Sequence, residues 1–408
     1  MSSSSSETAM DHEIPPTDTP GPASPLEVSV VMPCLNEADT LASCIEKALR
    51  ALRDNEIKGE VIVSDNGSTD GSQEIARSLG ARVVPVGSRG YGSALMGGIA
   101  AARAPFIVMG DSDDSYDFGE LPRFVEKYRE GYELVQGCRL PSGGGTVRKG
   151  AMPSLHRWLG NPLFSLLARL WFRVPVHDVY CGLRGFTRAL YDRLDQRCIG
   201  MEFATEMILK ASLFRATIVE VPITLYPDGR KAHRRHLKTF RDGWRTLRFF
   251  LMMSPRWLFL WPGLCLILFG LLGYALALPQ THLFGVELGA HTLLFASLSV
   301  VCGYQAILFG ILTKVFAISE GLLPEDPRLS RLFRIVDLED GVLAGSAAMI
   351  AGLTFLAVSV NQWKARHFGH LDYGQTMRWV IPGVTLTALG FQTVLWSFFT
   401  SILGMRRR

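Results

Sequence analysis

Hydrophobic positions follow two different patterns along this chain, and the change between them divides it in two. Up to about residue 226, short β-branched runs alternate with stretches whose apolar residues recur every three or four positions. Runs at 28–33, 61–65, 82–86, 106–111, 134–139 and 217–223 predict strands, and 40–52, 72–79, 93–103 and 119–129 predict helices. Such alternation predicts an α/β domain around a mainly parallel, Rossmann-like sheet. After residue 256 the alternation stops. Four stretches, 257–278, 292–313, 341–360 and 379–404, contain no charged residue. Each has the roughly 20 apolar residues that a helix needs to cross about 30 Å of hydrocarbon, so four transmembrane helices are expected.

Charge orients these spans, because Lys and Arg accumulate on the cytoplasmic side. The segment before the first span is basic, the link after the second holds Lys314, Arg328, Arg331 and Arg334, and the chain closes on a basic tail at 405–408. Residues 279–290 have neither Lys nor Arg; Lys364, Arg366 and Arg378 oppose the assignment but are outnumbered. Both termini and the α/β domain are therefore expected on the cytoplasmic face, as in a bacterial inner-membrane protein. Residues 1–25, rich in serine and proline, predict a disordered tail and not a secretory signal. The seven cysteines form no C-x-x-C pair and no metal spacing, which predicts reduced thiols.

In open α/β sheets, ligands bind beyond the carboxyl ends of the strands. Three predicted strands end there in polar sequence: Pro33-Cys34-Leu35-Asn36-Glu37, Asp65-Asn66-Gly67-Ser68-Thr69-Asp70 and Gly110-Asp111-Ser112-Asp113-Asp114. Asp111 and Asp113, with one small residue between them on an extended segment, can approach one Mg2+ or Mn2+ ion, and a nucleotide diphosphate would complete its oxygen shell. A lone acidic cluster is more often solvated or caps a helix; the tip of a buried strand, beside two companion motifs, favours metal. Asp65 is expected to be free to accept hydrogen bonds from a base edge, while Asp70 suits a structural cap. Gly90, in Arg89-Gly90-Tyr91-Gly92-Ser93-Ala94, would let backbone N–H groups approach a phosphate or ribose. Tight packing alone would also call for glycine there.

In this order the motifs resemble those of the inverting family 2 glycosyltransferases of the GT-A fold, most closely the polyprenyl-phosphate hexosyltransferases of the dolichyl and undecaprenyl types. The shared residues, over about 28–248, are Pro33-x-x-Asn36-Glu37, Asp65-x-Gly67-Ser68-x-Asp70, Gly90-Tyr91-Gly92-x-Ala94, Asp111-x-Asp113, Gly137-x-Arg139 and Asp178-x-x-Cys181-Gly182-x-Arg184. The resemblance implies a GT-A catalytic domain at 26–226. In it Pro33, Leu35, Asn36, Glu37, Asp65, Gly90 and Ser112 line the nucleotide-sugar site, with Asp65 on the base. Asp111 and Asp113 face the metal and diphosphate, Arg139 and Arg148 lie near the acceptor phosphate, and Asp178 joins the catalytic residues. Cys138 and Cys181 stand where serine is common, and Arg230-Lys231-Ala232-His233-Arg234-Arg235 replaces the usual Arg-x-x-Gly-x-Ser segment.

Between Tyr226 and Arg256 nine Lys or Arg face two Asp, a net of +7 in a chain of net +4. On a helical projection Lys231, Arg234, Arg235, Lys238, Arg241, Arg245 and Arg248 share one side, and Leu237, Phe240, Trp244, Leu247 and Leu251 another. A basic amphipathic helix within 227–256 is expected to lie on an anionic membrane surface, each basic residue adding about 1 kcal/mol. The alternative is a charged helix packed on the catalytic domain.

Such a helix would hold the site at headgroup level, where a polyprenyl phosphate presents its charge. A phosphate acceptor is anionic at neutral pH and needs no strong general base. Transfer to a sugar hydroxyl would need one, and Glu206, on the helical stretch 203–213, is the candidate, although a helix-surface acid is the plainer reading. Gln375-Thr376-Met377-Arg378-Trp379 matches the Gln-x-x-Arg-Trp motif of processive polysaccharide synthases, but it follows the third span, on the expected outer side. Uncharged spans argue against a transporter. No nucleic-acid partner is expected, and a homo-oligomer is compatible with the sequence.

Overall fold

Seven of the chain's short strands join one sheet. A computed structural model describes residues 26–230, 239–279, 281–283, 285–329, 331 and 338–405. Strands β1 (Val28–Cys34), β2 (Gly59–Asp65), β3 (Arg82–Pro85), β4 (Phe106–Met109), β5 (Leu134–Cys138), β7 (Arg184–Thr187) and β8 (Ile218–Pro222) lie in the order β3-β2-β1-β4-β7-β5-β8. Only β7 runs against its neighbours. A small parallel ribbon pairs β6 (Thr146–Val147) with β9 (Thr224–Leu225).

The central strands are buried on both faces because helices cover both. On one side α1 (Leu41–Asp54), α2 (Ser72–Ser78) and α4 (Leu121–Arg129) enclose a core that includes Val30, Ile45 and Phe124. On the other, α3 (Tyr91–Ala101), α5 (Asn161–Phe172), α6 (Arg188–Leu194) and α7 (Glu202–Leu213) enclose Val31, Leu95, Phe186 and Ile208. Because β2, β1 and β4 are adjacent and parallel, pairing Cys34 with Asp65 and Val31 with Met109, their three polar tips end on one edge.

Every predicted strand and helix of this domain forms, with ends within two residues. Two central elements escape the sequence pattern. β7 is four residues long and contains a glycine. In α5 the usual order is inverted: Asn161, Ser165, Ala168 and Phe172 are buried, while Leu163, Leu166 and Leu170 face outward.

Beyond α8 (Thr239–Met253), four helices among the described residues are long and apolar enough to cross a membrane, at 256–277, 290–319, 338–365 and 373–403. Each coincides with a predicted span. They comprise α9 (Trp261–Ala277, with the wide turn before it), α10 (Ala290–Ser319), α11 (Leu338–Ala365) and α12 (Tyr373–Met405). α9 and α10 cross at Gly263 and Gly303, and α11 and α12 at Gly345 and Gly390, where small residues let backbones approach. Hydroxyl contacts join the two hairpins: Tyr274 and Ser297 to Thr385, and Tyr304 to Thr393.

α8 docks on the catalytic domain by a residue outside its expected apolar side. Phe250 is buried among Phe164, Trp171 and Phe172, with ring centroids 6.0, 6.3 and 5.5 Å away. Trp244 is exposed, Leu247 and Leu251 are half-buried, and Arg241, Arg245 and Arg248 face outward. Lys231, Arg234, Arg235, Leu237 and Lys238, with the expected N-terminal tail and the final three arginines, lie outside the described residues.

Candidate active site

β4 ends at Met109, and the acidic triplet follows on the cleft edge of the sheet. Ser112 is buried and anchors the turn: its Oγ donates to the Pro33 carbonyl (2.7 Å), and its own carbonyl accepts from Thr40 Oγ1 (2.7 Å). Anchoring is thus the visible role of both Pro33 and Ser112. The flanking carboxylates keep one oxygen each in protein bonds. Asp111 Oδ1 accepts from the Tyr91 hydroxyl (2.8 Å), and Asp113 Oδ1 from Ser115 N (3.1 Å) and Oγ (2.6 Å). The third acid, Asp114, has a positive φ of 61° and bonds Lys47 at 2.8 Å.

Arg230 enters from the segment after β9. It donates from Nε to Glu37 Oε2 (2.7 Å) and from Nη2 to Oε1, and its Nη1 lies 3.1 Å from Asp228 and 3.6 Å from Asp113. Burial pushes the Asp111 carboxyl up to about 6; the Asp113 charge adds to this, and Tyr91, Arg230 and Arg139 oppose it. Burial also raises Glu37, against the pull of Arg230.

Asp65 departs from its expected freedom. Its Oδ2 accepts from Gly67 N (3.0 Å), Ser68 N (3.1 Å) and Gln73 Nε2 (2.7 Å), so the carboxylate closes its own turn. Asn36, at φ 60°, accepts at Oδ1 from Thr69 N (2.9 Å). Asp70 ties the two tips as a structural residue, accepting from Ala38 N (2.9 Å) and Ser72 N (3.1 Å). Leu35 is exposed at the rim.

Of the two readings of Gly90 the structure favours tight packing, because its N–H is taken by Asn66 Oδ1 (2.9 Å). The glycines serve close packing: a Cβ on Gly90 would lie 2.4 Å from the Ile199 carbonyl oxygen, and one on Gly92 2.4 Å from that of Cys198.

The second half of the site is a buried ion pair. Arg139, just past β5, donates to Asp178 from Nε (2.7 Å) and Nη2 (2.9 Å), while its backbone N bonds the same carboxylate at 3.0 Å. Nη1 reaches the Tyr116 hydroxyl (3.3 Å), which in turn accepts from Gly182 N (2.9 Å). Glu220 secures the loop, accepting from the backbone N–H of His177 (2.6 Å) and Asp178 (3.0 Å). The Asp178–Gly182 loop touches the acidic pair, since a Cβ on Gly182 would stand 2.8 Å from Asp111 Oδ2. Arg148 is exposed on the β6 ribbon, over the Tyr226 ring at 5.9 Å.

Glu206 is no surface acid: it is buried and paired with Lys210. Tyr116 and Glu220 carry no sequence signal, because their contacts depend on distant segments meeting, and Tyr91 enters the sequence reading only within the Gly90-Tyr91-Gly92 motif. Arg230 belongs to the segment Arg230–Arg235, whose sequence does not reveal its partner Glu37.

The donor set suits a hard divalent cation: the hydrogen bonds above use Oδ1 of both Asp111 and Asp113, and Asp113 Oδ2 faces the Arg230 guanidinium at 3.6 Å, beyond hydrogen-bond distance. Among the described residues no group of three or more His, Cys, Asp or Glu is arranged to hold a metal. Any ion there would draw its remaining oxygens from a phosphate or water.

Residues 29–195 match glycosyl transferase family 2, and residues 311–404 match the glycosyltransferase family 2 C-terminal transmembrane region. The chain is 35% identical over 378 residues to the low-salt glycan biosynthesis hexosyltransferase Agl6 of Haloferax volcanii, covering 92% of this chain and 89% of that protein. It is 32% identical over 217 residues to the dolichyl-phosphate hexose transferase of the same organism, covering 53% of this chain and 89% of the relative. Among solved structures, glucosyl-3-phosphoglycerate synthase from Mycobacterium tuberculosis, in complex with Mn2+, UDP and glucosyl-3-phosphoglycerate, is 25% identical at a TM-score of 0.43, covering 56% of this chain and 78% of that one. With a relative matched along nearly its whole length and both halves matched to one family, this chain belongs to glycosyltransferase family 2, as a multi-pass membrane protein with a GT-A-like catalytic domain.

Proposed function

We propose that the protein transfers a hexose from a UDP- or GDP-sugar to a polyprenyl phosphate at the cytoplasmic face of the membrane, with inversion. The observation that supports this reading is the adjacency of Asp111 to the Asp178–Gly182 loop, so that a metal and diphosphate at Asp111 would lie beside the buried Arg139. Mg2+ or Mn2+, held by Asp111 and Asp113, would neutralise charge on the departing diphosphate. Arg230 and Arg139 hold fixed positive charge near the pair, where negative charge collects as the glycosidic bond breaks. Arg148, on the exposed ribbon, meets the acceptor phosphate.

The phosphate oxygen attacks the sugar without a protein base. This agrees with the state of Glu206, whose oxygens are occupied and enclosed.

A lipid acceptor is supported by the outward face of α5 and the turn before it. Leu155, Trp158, Leu159, Leu163, Leu166 and Leu170 are exposed at helical spacing. Trp171, at the end of α5, stacks on Trp257 at the start of the first span (5.3 Å), which supports reading this face as lying near the membrane surface. The inner side of α5 supports the Asp178 loop, with Val179 N donating to Ser165 Oγ (3.3 Å).

Membranes containing the protein, incubated with radiolabelled UDP- and GDP-hexoses in turn, should yield label extractable as lipid. Asp113→Asn or excess chelator should abolish it while the protein stays folded. Full activity of Asp113→Asn would sink the metal assignment, and label appearing only in polymer would sink the acceptor assignment.

A further inference from the structure

Glu206 and Lys210 face the interior from one side of α7, 2.7 Å apart and only 3% and 0% exposed. A buried ion pair destabilises a fold unless its remaining hydrogen-bonding capacity is met. Here that capacity goes to a single loop. Lys210 Nζ donates to the Asp195 carbonyl (2.7 Å), and Glu206 accepts from the backbone N–H of Arg197 (3.1 Å) and Cys198 (2.8 Å).

The pinned loop presses on the start of α3. Ser93 N donates to the Ile199 carbonyl (3.1 Å), and the carbonyls of Cys198 and Ile199 fill the space left by the missing side chains of Gly92 and Gly90. Between those glycines stands Tyr91, whose hydroxyl bonds Asp111. An unbroken series of short contacts therefore runs from α7 to the acidic pair, largely through backbone, which leaves little slack.

We infer that Glu206, with Lys210, is a positioning residue for the donor site: it holds the 195–199 loop that fixes Tyr91, and Tyr91 fixes Asp111. The inference rests on reading Asp111 as part of that site. Neutralising Glu206 leaves Lys210 without its counter-charge and turns one of the two acceptor oxygens that face Lys210 and the Arg197 and Cys198 N–H groups into an NH2 donor, and the loop relaxes away from Gly90 and Gly92.

The full-length protein in lipid nanodiscs is tested as Glu206→Gln, Tyr91→Phe and the double variant. The readouts are Mn2+-dependent binding of UDP and of GDP, donor KM and kcat, and thermal midpoint. Each single change is expected to weaken nucleotide binding on the order of 10-fold, and the double variant no further, since residues acting through one contact are non-additive. Independent, multiplying losses, or a lowered midpoint with donor affinity unchanged, overturn the inference. Should Glu206→Gln fail to fold, Gly92→Ala probes the same link from the other end: weakened nucleotide binding supports it and wild-type binding overturns it. Unchanged binding in Tyr91→Phe overturns the inference as well, whereas unchanged Mn2+-dependent nucleotide binding in Asp113→Asn would remove the donor-site reading itself.

Discussion

Asp111 and Asp113 share a turn but experience different surroundings. Burial lifts the Asp111 carboxyl to about 6, above the ordinary value of about 3.9 expected in the unfolded chain. Between these two values the metal-free folded protein binds more protons than the unfolded one, so this residue makes stability fall as pH rises from about 4 to 6. Denaturant midpoints of metal-free wild type, compared with Asp111→Asn, should show that slope in the wild type alone. Mn2+ affinity should rise through the same window, because cation and proton compete for the carboxylate. At Asp178 the expected effect is on stability: removing it strands the Arg139 guanidinium, and Asp178→Ala should lose about 3–5 kcal/mol in chemical denaturation. The acidic pair was legible in the sequence because a strand tip and two neighbouring motifs gave it context. The clamp of Arg230 on Glu37 was not, because 193 positions separate the partners and only the folded chain joins them.

Helices and strands were legible wherever periodicity reported burial in a water-soluble core. β1, β2 and β4 announce themselves by unbroken apolar runs, whereas β7 has few residues with which to show any period. α5 was hidden for another reason. Its leucines point away from the core and its small and polar residues toward it, the reverse of the order a helix on a soluble domain adopts. The charged helix α8 drew attention instead, although Phe250 fastens it to the catalytic domain. If α5 seats the enzyme on lipid, Leu166→Asp with Leu170→Asp should leave the thermal midpoint nearly unchanged, since both side chains are exposed. Acceptor KM in vesicles should rise about 10-fold or more, given the apolar area withdrawn from the interface. An unchanged KM would assign α5's outward leucines elsewhere.

At the scale of the whole molecule, the four spans are two helical hairpins held by glycine crossings and joined by a few hydroxyl contacts. Backbone approach does most of the packing where hydrophobicity offers no drive. Gly345→Leu would place a branched side chain where even a Cβ lies 2.8 Å from the Gly390 carbonyl, and should part α11 from α12. A lowered unfolding temperature of the membrane domain in detergent would register it. The number and positions of the spans could be read from hydropathy alone, because length and absence of charge decide them; which helices touch could not, since glycine spacing leaves several pairings open.

Among the described residues, the catalytic domain touches the membrane helices at two places far apart in the sequence. Trp171 lies on Trp257 at the head of α9, and Arg197, in the loop that Glu206 holds, donates to the Glu320 carbonyl at the end of α10 (2.8 Å). Contacts at these two places favour rocking about the line between them over sliding or lifting, and such rocking would change the cleft's height above the lipid and its tilt together.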